Sequence, residues 1–284
     1  MRALGASVTR GAGFLRSSAY LVGPDGVAPV IRPLAAPLPP EALSRRRHRF
    51  YRRLLFLCLL VMLSLAFPAA LRLVGTLAYF LITALTTVEL SGFLAGRLGR
   101  SWSDRLFLAL GIANLIAQLL WLLTPESKRF SGVPLLVLTT VFIGWSLVRL
   151  VRALDREPRA TRAVVSGAVA GYLLLGLSGG LVLSVLETIE PGSYMTNTEA
   201  DPAPIVLNRT GAGTDSVWQL DFARINYFAF VSLTTTGYGD ITPARPPARM
   251  ASVVLAIAGP LYIAVILGVL ITRFAAPEEG ASGD

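Results

Sequence analysis

The chain has 284 residues, of which 54% are hydrophobic and only 15% charged, and its mean hydropathy is +0.62. This composition indicates a membrane protein and argues against an ordinary soluble domain. The formal net charge of +9 would also suit nucleic-acid binding, so the basic residues are first compared with membrane topology. A single cysteine and a single histidine exclude an intrachain disulfide and a histidine-built metal site.

The N-terminal segment, residues 1–44, is rich in Ala, Pro and Gly and has no sustained apolar period. We expect it to form a disordered cytosolic tail. An arginine cluster follows, directly before the first apolar run. The cluster is interpreted either as a positive-inside signal or as a contact with anionic lipids. The residues assigned to this lipid contact are Arg45, Arg46, Arg47 and Arg49.

Six apolar segments are predicted to cross the membrane. They cover residues 54–67, 71–92, 106–123, 133–151, 163–186 and 250–272. An even number of spans places both termini on one side, and most of the basic residues fall on that side. By the positive-inside rule the termini are therefore cytosolic, and the positive charge requires no nucleic acid. The predicted location is the plasma membrane.

The first four spans make up a predicted peripheral membrane domain, residues 45–162. Arginines recur there at three- and four-residue spacing from Arg149 to Arg162. A voltage sensor needs such charges within the membrane field. Here an apolar run uses most of the membrane thickness before Arg149, and Pro158 interrupts the series. We therefore expect a cytosolic linker and no working sensor.

Glu89 is the one acidic residue within the first four predicted spans. An acid inside a membrane is expected to have a cationic partner. The candidate partners are Arg97, Arg149 and Arg152. A structural ion pair and a countersite for gating charges are both compatible with the sequence, and the ion pair is preferred.

The run Thr-Thr-Thr-Gly-Tyr-Gly-Asp occupies residues 234–240, between a short amphipathic segment and the last span. Its two glycines alternate with other residues, so the backbone can adopt torsions of alternating hand. Successive carbonyls can then face one side. Four such segments around an axis would form stacked oxygen rings that replace the water shell of a monovalent cation.

This run resembles the selectivity filter of the potassium channel family, whose motif is Thr-Val-Gly-Tyr-Gly. The departure is Thr236, where the family usually has Val. The resemblance implies a homotetramer that conducts K⁺ passively, with K⁺ as the permeant ion and no other cofactor. It implies ion ligation through the carbonyls of Thr235, Thr236, Gly237, Tyr238 and Gly239, with the Thr235 hydroxyl as a further ligand.

Residues 163–273 follow the order of the family's pore domain: outer helix, turret, pore helix, filter and inner helix. A helix from Phe222 to Leu233, with Asp221 as its N-cap, is too short to span and is expected to be re-entrant. We therefore predict an all-α membrane protein. It has six transmembrane helices, a re-entrant pore helix and a filter loop, and it assembles as a four-fold tetramer. A short cytosolic tail, 274–284, completes the chain.

The residues beside the filter are expected to support it. Thr234 and Asp240 flank the filter, while Tyr227 and Phe228 stand where many relatives have two tryptophans. Phe228 cannot donate the hydrogen bond that tryptophan gives the aspartate after the filter. Asp240 is therefore expected to find another partner or water.

Two further roles are implied by the resemblance. An acid near the end of the outer helix braces the backbone beside the filter in the family, and either Glu187 or Glu190 could do so here. Gly259 lies where the family has a hinge glycine. Because Pro260 removes a backbone donor next to it, we predict a gating hinge at these two residues.

Two alternatives to a potassium-selective channel remain. A weakly selective monovalent cation channel is motivated by the altered residues around the filter. A potassium transporter or a silent subunit is the second, although transporters of related fold carry four degenerate filter repeats and this chain has one intact copy. We find no catalytic constellation and expect no enzyme activity.

Overall fold

The computed structural model describes residues 40–91, 102–124, 132–157, 160–197, 203–204 and 221–274. Most of the predicted N-terminal tail and nearly all of the predicted C-terminal tail lie outside these ranges. The first helix begins at Pro40. Residues 40–44, the last part of the predicted disordered tail, are therefore helical, and the predicted boundary is wrong there.

Seven helices and three short strands form the described part of the chain. The helices are α1 Pro40–Ala66, α2 Pro68–Leu90, α3 Trp102–Leu123, α4 Val133–Asp155, α5 Arg162–Ile189, α6 Phe222–Leu233 and α7 Pro246–Phe274. The strands are β1 Tyr194–Thr196, β2 Ala203–Pro204 and β3 Ile241–Pro243. The all-α membrane architecture is confirmed, and the small sheet is an addition that hydropathy did not predict.

Five helices in the described ranges are long and apolar enough to cross a membrane, namely α2, α3, α4, α5 and α7. α1 is long enough, but the arginine cluster occupies its first half. Its apolar stretch runs only from Leu54 to Ala66, which is short for a hydrocarbon core about 30 Å thick. The sixth span therefore remains a prediction.

The peripheral helices α1–α4 share a hydrophobic core with α5, the predicted outer helix. Tyr51, Phe107 and Phe142 are fully buried, and the rings of the two phenylalanines stack with their centroids 5.1 Å apart. α1 packs against both α2 and α5, and α4 also packs against α5. Burial of these apolar side chains joins the peripheral helices to the pore region.

α5 allows close approach on two sides because it carries glycines at its contacts. A Cβ at Gly176 would meet the ring of Phe230 on α6, and one at Gly171 would meet the hydroxyl of Tyr262 on α7. Small residues let helices pack at short distance in membranes. The expected packing of the outer helix on the inner helix therefore extends to the pore helix.

The three strands form an antiparallel sheet of order β2-β1-β3. In its register Met195 lies opposite Thr242, and Thr196 lies opposite Ile241. β1 follows the outer helix, whereas β3 follows the 234–240 run. The sheet therefore holds the end of the outer helix α5 next to the end of the 234–240 run.

Candidate ion-conduction site

The pore helix α6 places the 234–240 run at its C-terminal end. The Asp221 carboxylate accepts the amides of Ala223 and Arg224 at 3.1 Å each, which confirms the predicted N-cap. At the other end, the amides of residues 234–236 donate to carbonyls of the last turn at 2.9 to 3.0 Å. The run therefore starts directly from the helix, without an intervening loop.

The backbone of the run adopts left-handed torsions at alternate positions. Gly237 has φ of 59° and Gly239 has φ of 80°, as the glycine pattern predicts. Thr235 also has a positive φ, 58°. This is rare for a β-branched residue, so its surroundings must hold Thr235 in place.

Hydroxyl groups continue the attachment of the run to α6. The Thr234 hydroxyl donates to the Phe230 carbonyl at 2.8 Å and lies 2.8 Å from the Thr236 hydroxyl. The Thr235 hydroxyl donates to the Thr234 carbonyl at 2.7 Å. Because that bond uses its hydrogen, the lone pairs of the Thr235 hydroxyl remain available to a cation.

Asp240, the acid after the run, has a protein partner. Interaction of the Tyr227 hydroxyl with the Asp240 carboxylate is the main cause that raises the pKa of Tyr227. Phe228 instead is buried and packs on Tyr194, with ring centroids 5.4 Å apart. Consecutive helical residues point about 100° apart, so only one of the pair can face Asp240. Tyr227 therefore fits the other partner that Asp240 is expected to find in place of Phe228, and its supporting role stays a prediction.

Asn197, at the end of β1, contacts the outer end of the run. Its amide nitrogen Nδ2 donates to the Gly239 carbonyl and to the Thr242 hydroxyl, each at 3.1 Å. Its backbone amide donates to the Asp240 carbonyl at 2.7 Å. Sequence reasoning missed Asn197, since it lies 42 residues before Gly239 and in no recognisable motif.

Of the two candidate bracing acids, Glu187 makes the buried contacts. It is 1% exposed, and its two carboxylate oxygens accept the amides of Gly192 and Tyr194 at 2.9 Å each. Tyr194 begins β1, the strand that pairs with β3. Glu187 therefore fixes the position of the start of β1. Glu190 is half-exposed and forms an ion pair with Arg245 at 3.5 Å.

Gly259 lies at a close contact between α7 and the end of α6. A Cβ there would overlap the carbonyl oxygen of Leu233. α7 runs through Gly259 and Pro260 as one helix. The structure therefore gives Gly259 a packing role, and the hinge stays a prediction.

Glu89 has a partner other than those predicted. Its carboxylate accepts from Arg46 Nε at 2.9 Å and 3.2 Å, at the end of α2. α1 lies along α2, so the arginine cluster reaches the end of that helix, which spacing in the sequence does not reveal. The predicted pairs with Arg149 and Arg152 are therefore wrong, and Arg97 lies outside the described residues.

Arg149 is held by several groups of its own. Its guanidinium is 2.8 Å from the Asp104 carboxylate and donates to the Leu90 carbonyl at 2.8 Å and to the Ser103 carbonyl at 2.9 Å. It also lies over the Phe107 ring, 4.4 Å from the centroid. Charge-assisted bonds and a cation–π contact together fix this side chain.

The arginines assigned to lipid contact divide into two kinds. Arg46 pairs with Glu89, and Arg47 Nε lies 2.9 Å from the carboxylate of the buried Glu157. Arg49 is exposed. Two of the four predicted contact residues therefore serve ion pairs within the chain.

Comparison with known proteins agrees with this geometry. Residues 192–276 match the model of a family described as "Ion channel", the two-transmembrane-type potassium channel pore family. No curated protein and no solved structure matches the chain. The match and the five apolar helices together indicate a multi-pass membrane protein with an ion-channel pore. Residues 192–276 are therefore similar to the potassium channel pore-domain superfamily.

Proposed function

We propose that the protein is a potassium-selective channel of four identical subunits, through which K⁺ passes down its electrochemical gradient. The observation that carries the proposal is the 234–240 run. It has left-handed torsions at both glycines and hydrogen bonds to the end of a short pore helix. Carbonyls arranged in this way can replace the hydration shell of K⁺.

In this proposal the ion sites are formed by one segment from each subunit. The carbonyls of Thr235, Thr236, Gly237 and Tyr238 ligate K⁺, the Thr235 hydroxyl adds the innermost ligand, and Gly239 ends the row. The C-terminal end of α6 carries partial negative charge, which favours a cation on its axis. Asp240 and Glu187 act as supports of the outer filter.

Exposure in the single chain supports the four-fold assembly. Residues 234–239 are exposed, although the run stands at the centre of the proposed function. Only 17% of the membrane segment of α7 is buried, against 61% for α5, so the inner helix leaves most of its apolar surface uncovered. Contacts between four inner helices would cover part of that surface and surround an axial pore.

The peripheral helices are proposed to lack voltage sensing. A gating charge has to move within the membrane field. Arg149 is held instead by Asp104, by two backbone carbonyls and by the Phe107 ring. The placement of the arginines also supports cytosolic termini. The plasma membrane is the proposed location.

The ion pairs within the chain reduce the number of arginines that are available for the proposed lipid contact. Arg46 and Arg47 would have to leave Glu89 and Glu157 to reach a headgroup. Arg49 is exposed and can contact a phosphate without breaking either pair. It is therefore the residue to test first.

Purified protein reconstituted alone in planar bilayers tests the channel proposal. In mixed K⁺ and Na⁺, the reversal potential should lie close to the K⁺ equilibrium potential. A reversal potential near zero under a K⁺/Na⁺ gradient would indicate the weakly selective channel. Absence of unitary currents would favour the transporter or silent-subunit alternatives.

Gly237→Ala should abolish K⁺ current, because a Cβ at φ of 59° costs about 1–2 kcal/mol per subunit and turns a carbonyl out of its ring. Gly144→Ala in α4 is the matched control, since a Cβ there meets no atom within 4 Å. The control should conduct like the parent. Parental current in the Gly237→Ala channel would contradict the proposed filter.

A further inference from the structure

We infer that Thr236, the departure from the family motif, is a positioning residue whose hydroxyl holds the innermost filter residue in its strained conformation. The inference rests on the proposed function, because it concerns the same filter. It assigns the side chain of Thr236 a task that the valine usual at this position cannot perform.

The geometry defines a hydroxyl relay from Thr236 through Thr234 to the Phe230 carbonyl. The Thr234 hydroxyl is 2.8 Å from the Phe230 carbonyl oxygen and 2.8 Å from the Thr236 hydroxyl. A carbonyl oxygen can only accept, so Thr234 uses its hydrogen on Phe230. Both bonds are then made when Thr236 donates to Thr234.

The relay spans the residue that most needs support. Thr235 lies between the two linked hydroxyls and has φ of 58°, a conformation that costs a β-branched residue about 1–3 kcal/mol. The Thr235 amide donates to the Ser232 carbonyl, and the Thr236 amide donates to the Val231 carbonyl, each at 3.0 Å. The relay adds a side-chain link across the same residue and so limits its return to negative φ.

The consequence falls on the innermost ion site. The Thr235 carbonyl and hydroxyl are the proposed ligands there, and their directions depend on the torsions of Thr235. Loss of the relay should therefore weaken K⁺ binding at this site and speed the passage of the filter into a nonconducting form. The permeation path itself keeps the same oxygens.

The test compares Thr236→Val, which removes the hydroxyl at nearly the same volume, with Thr236→Ser, which retains it. The first readout is thermal stabilisation of the purified protein by K⁺ in a Na⁺ background. The K⁺ concentration for half-maximal stabilisation should rise about fivefold or more in the valine variant, the effect of one lost hydrogen bond. The serine variant should stay within about twofold of the parent.

The second readout is the decay of macroscopic K⁺ current in reconstituted membranes, which should also be faster in Thr236→Val and near parental in Thr236→Ser. Thr140→Val is the matched control. Its hydroxyl donates to the Leu136 carbonyl at 2.7 Å within α4, away from the filter. Both readouts should be unchanged in that control.

Failure of the inference differs from failure of the proposed function. If the parent shows K⁺ current and K⁺ stabilisation but Thr236→Val matches it, the relay has no positioning role. Equal defects in the valine and serine variants would also overturn the inference, since they would show that side-chain shape is responsible. If the parent shows neither current nor stabilisation, the proposed function fails and the inference fails with it.

Discussion

The peripheral helices and the pore region bind their polar groups in different ways. In α1–α4, long cationic side chains cross between helices to reach carboxylates, as in the pairs Arg46–Glu89 and Arg149–Asp104. In the pore region the bonds mostly involve the backbone, as where Glu187 accepts two amides. The first arrangement joins helices, and the second positions individual backbone atoms.

The difference follows from side-chain freedom. A long arginine can keep its ion pair while the helices shift, because several rotamers reach the same partner. An amide or a threonine hydroxyl has almost no such freedom. Rings of ligands for a dehydrated cation need the second kind of bond, and the 234–240 run has it at both ends.

Among substitutions that test this difference, Arg149→Gln is expected to have the largest effect on stability. The change leaves Asp104 without its cation and removes a bond to the Leu90 carbonyl, so the local stability of α3 and α4 should fall by about 3 kcal/mol. Hydrogen exchange of the amides in these helices measures that loss. Exchange in α6 and ion selectivity should not change.

The matched control for that change is Arg152→Gln. Arg152 lies on the same helix and is exposed, and it forms no ion pair with any residue in the described ranges. Its exchange pattern should remain parental. Equal losses in the two variants would show that net charge, and no specific contact, stabilises the peripheral helices.

A smaller and differently placed effect is expected from Glu187→Gln. The amide side chain can accept only one of the two backbone donors well, so one buried N–H is left unsatisfied, at a cost of about 2 kcal/mol. Exchange of the Gly192 and Tyr194 amides should accelerate, and exchange in α3 should not. Unchanged protection at both amides would show that Glu187 does not brace β1.

The smallest effect is expected from Arg245→Gln. Its partner Glu190 is 3.5 Å away, and both side chains are about half exposed, 52% and 47%. Water screens such a pair, so the loss in stability should stay below about 0.5 kcal/mol. Thermal unfolding of this variant, compared with that of Glu187→Gln, tests whether Glu187 and not Glu190 braces β1. A larger loss in Arg245→Gln would transfer that role to Glu190.

Local signals in the sequence were sufficient to predict the bounds of the pore helix and the backbone torsions at the glycines of the run after it. Asp221 caps the helix, Leu233 ends it, and the two glycines take positive φ as their spacing predicts. Each of these features depends on residues within a few positions of one another. Hydropathy likewise located five of the spanning helices.

Contacts between distant segments were not predictable in this way. Glu89 pairs with Arg46, 43 residues away. Asn197 reaches Gly239 only because β1 pairs with β3. Each partner depends on how helices and strands are arranged in space, which no local period encodes.

By itself, the sequence determined the membrane class of this protein, the order of its pore elements and the segment that is proposed to bind the ion. Those properties arise from hydropathy, chain order and glycine torsions, which act over a few residues. Tertiary structure alone decided which carboxylate braces the turret and which arginines are engaged. It also placed the hydroxyl of Thr236 on Thr234, because hydrogen bonds and ion pairs form only between groups that packing brings within about 3 Å.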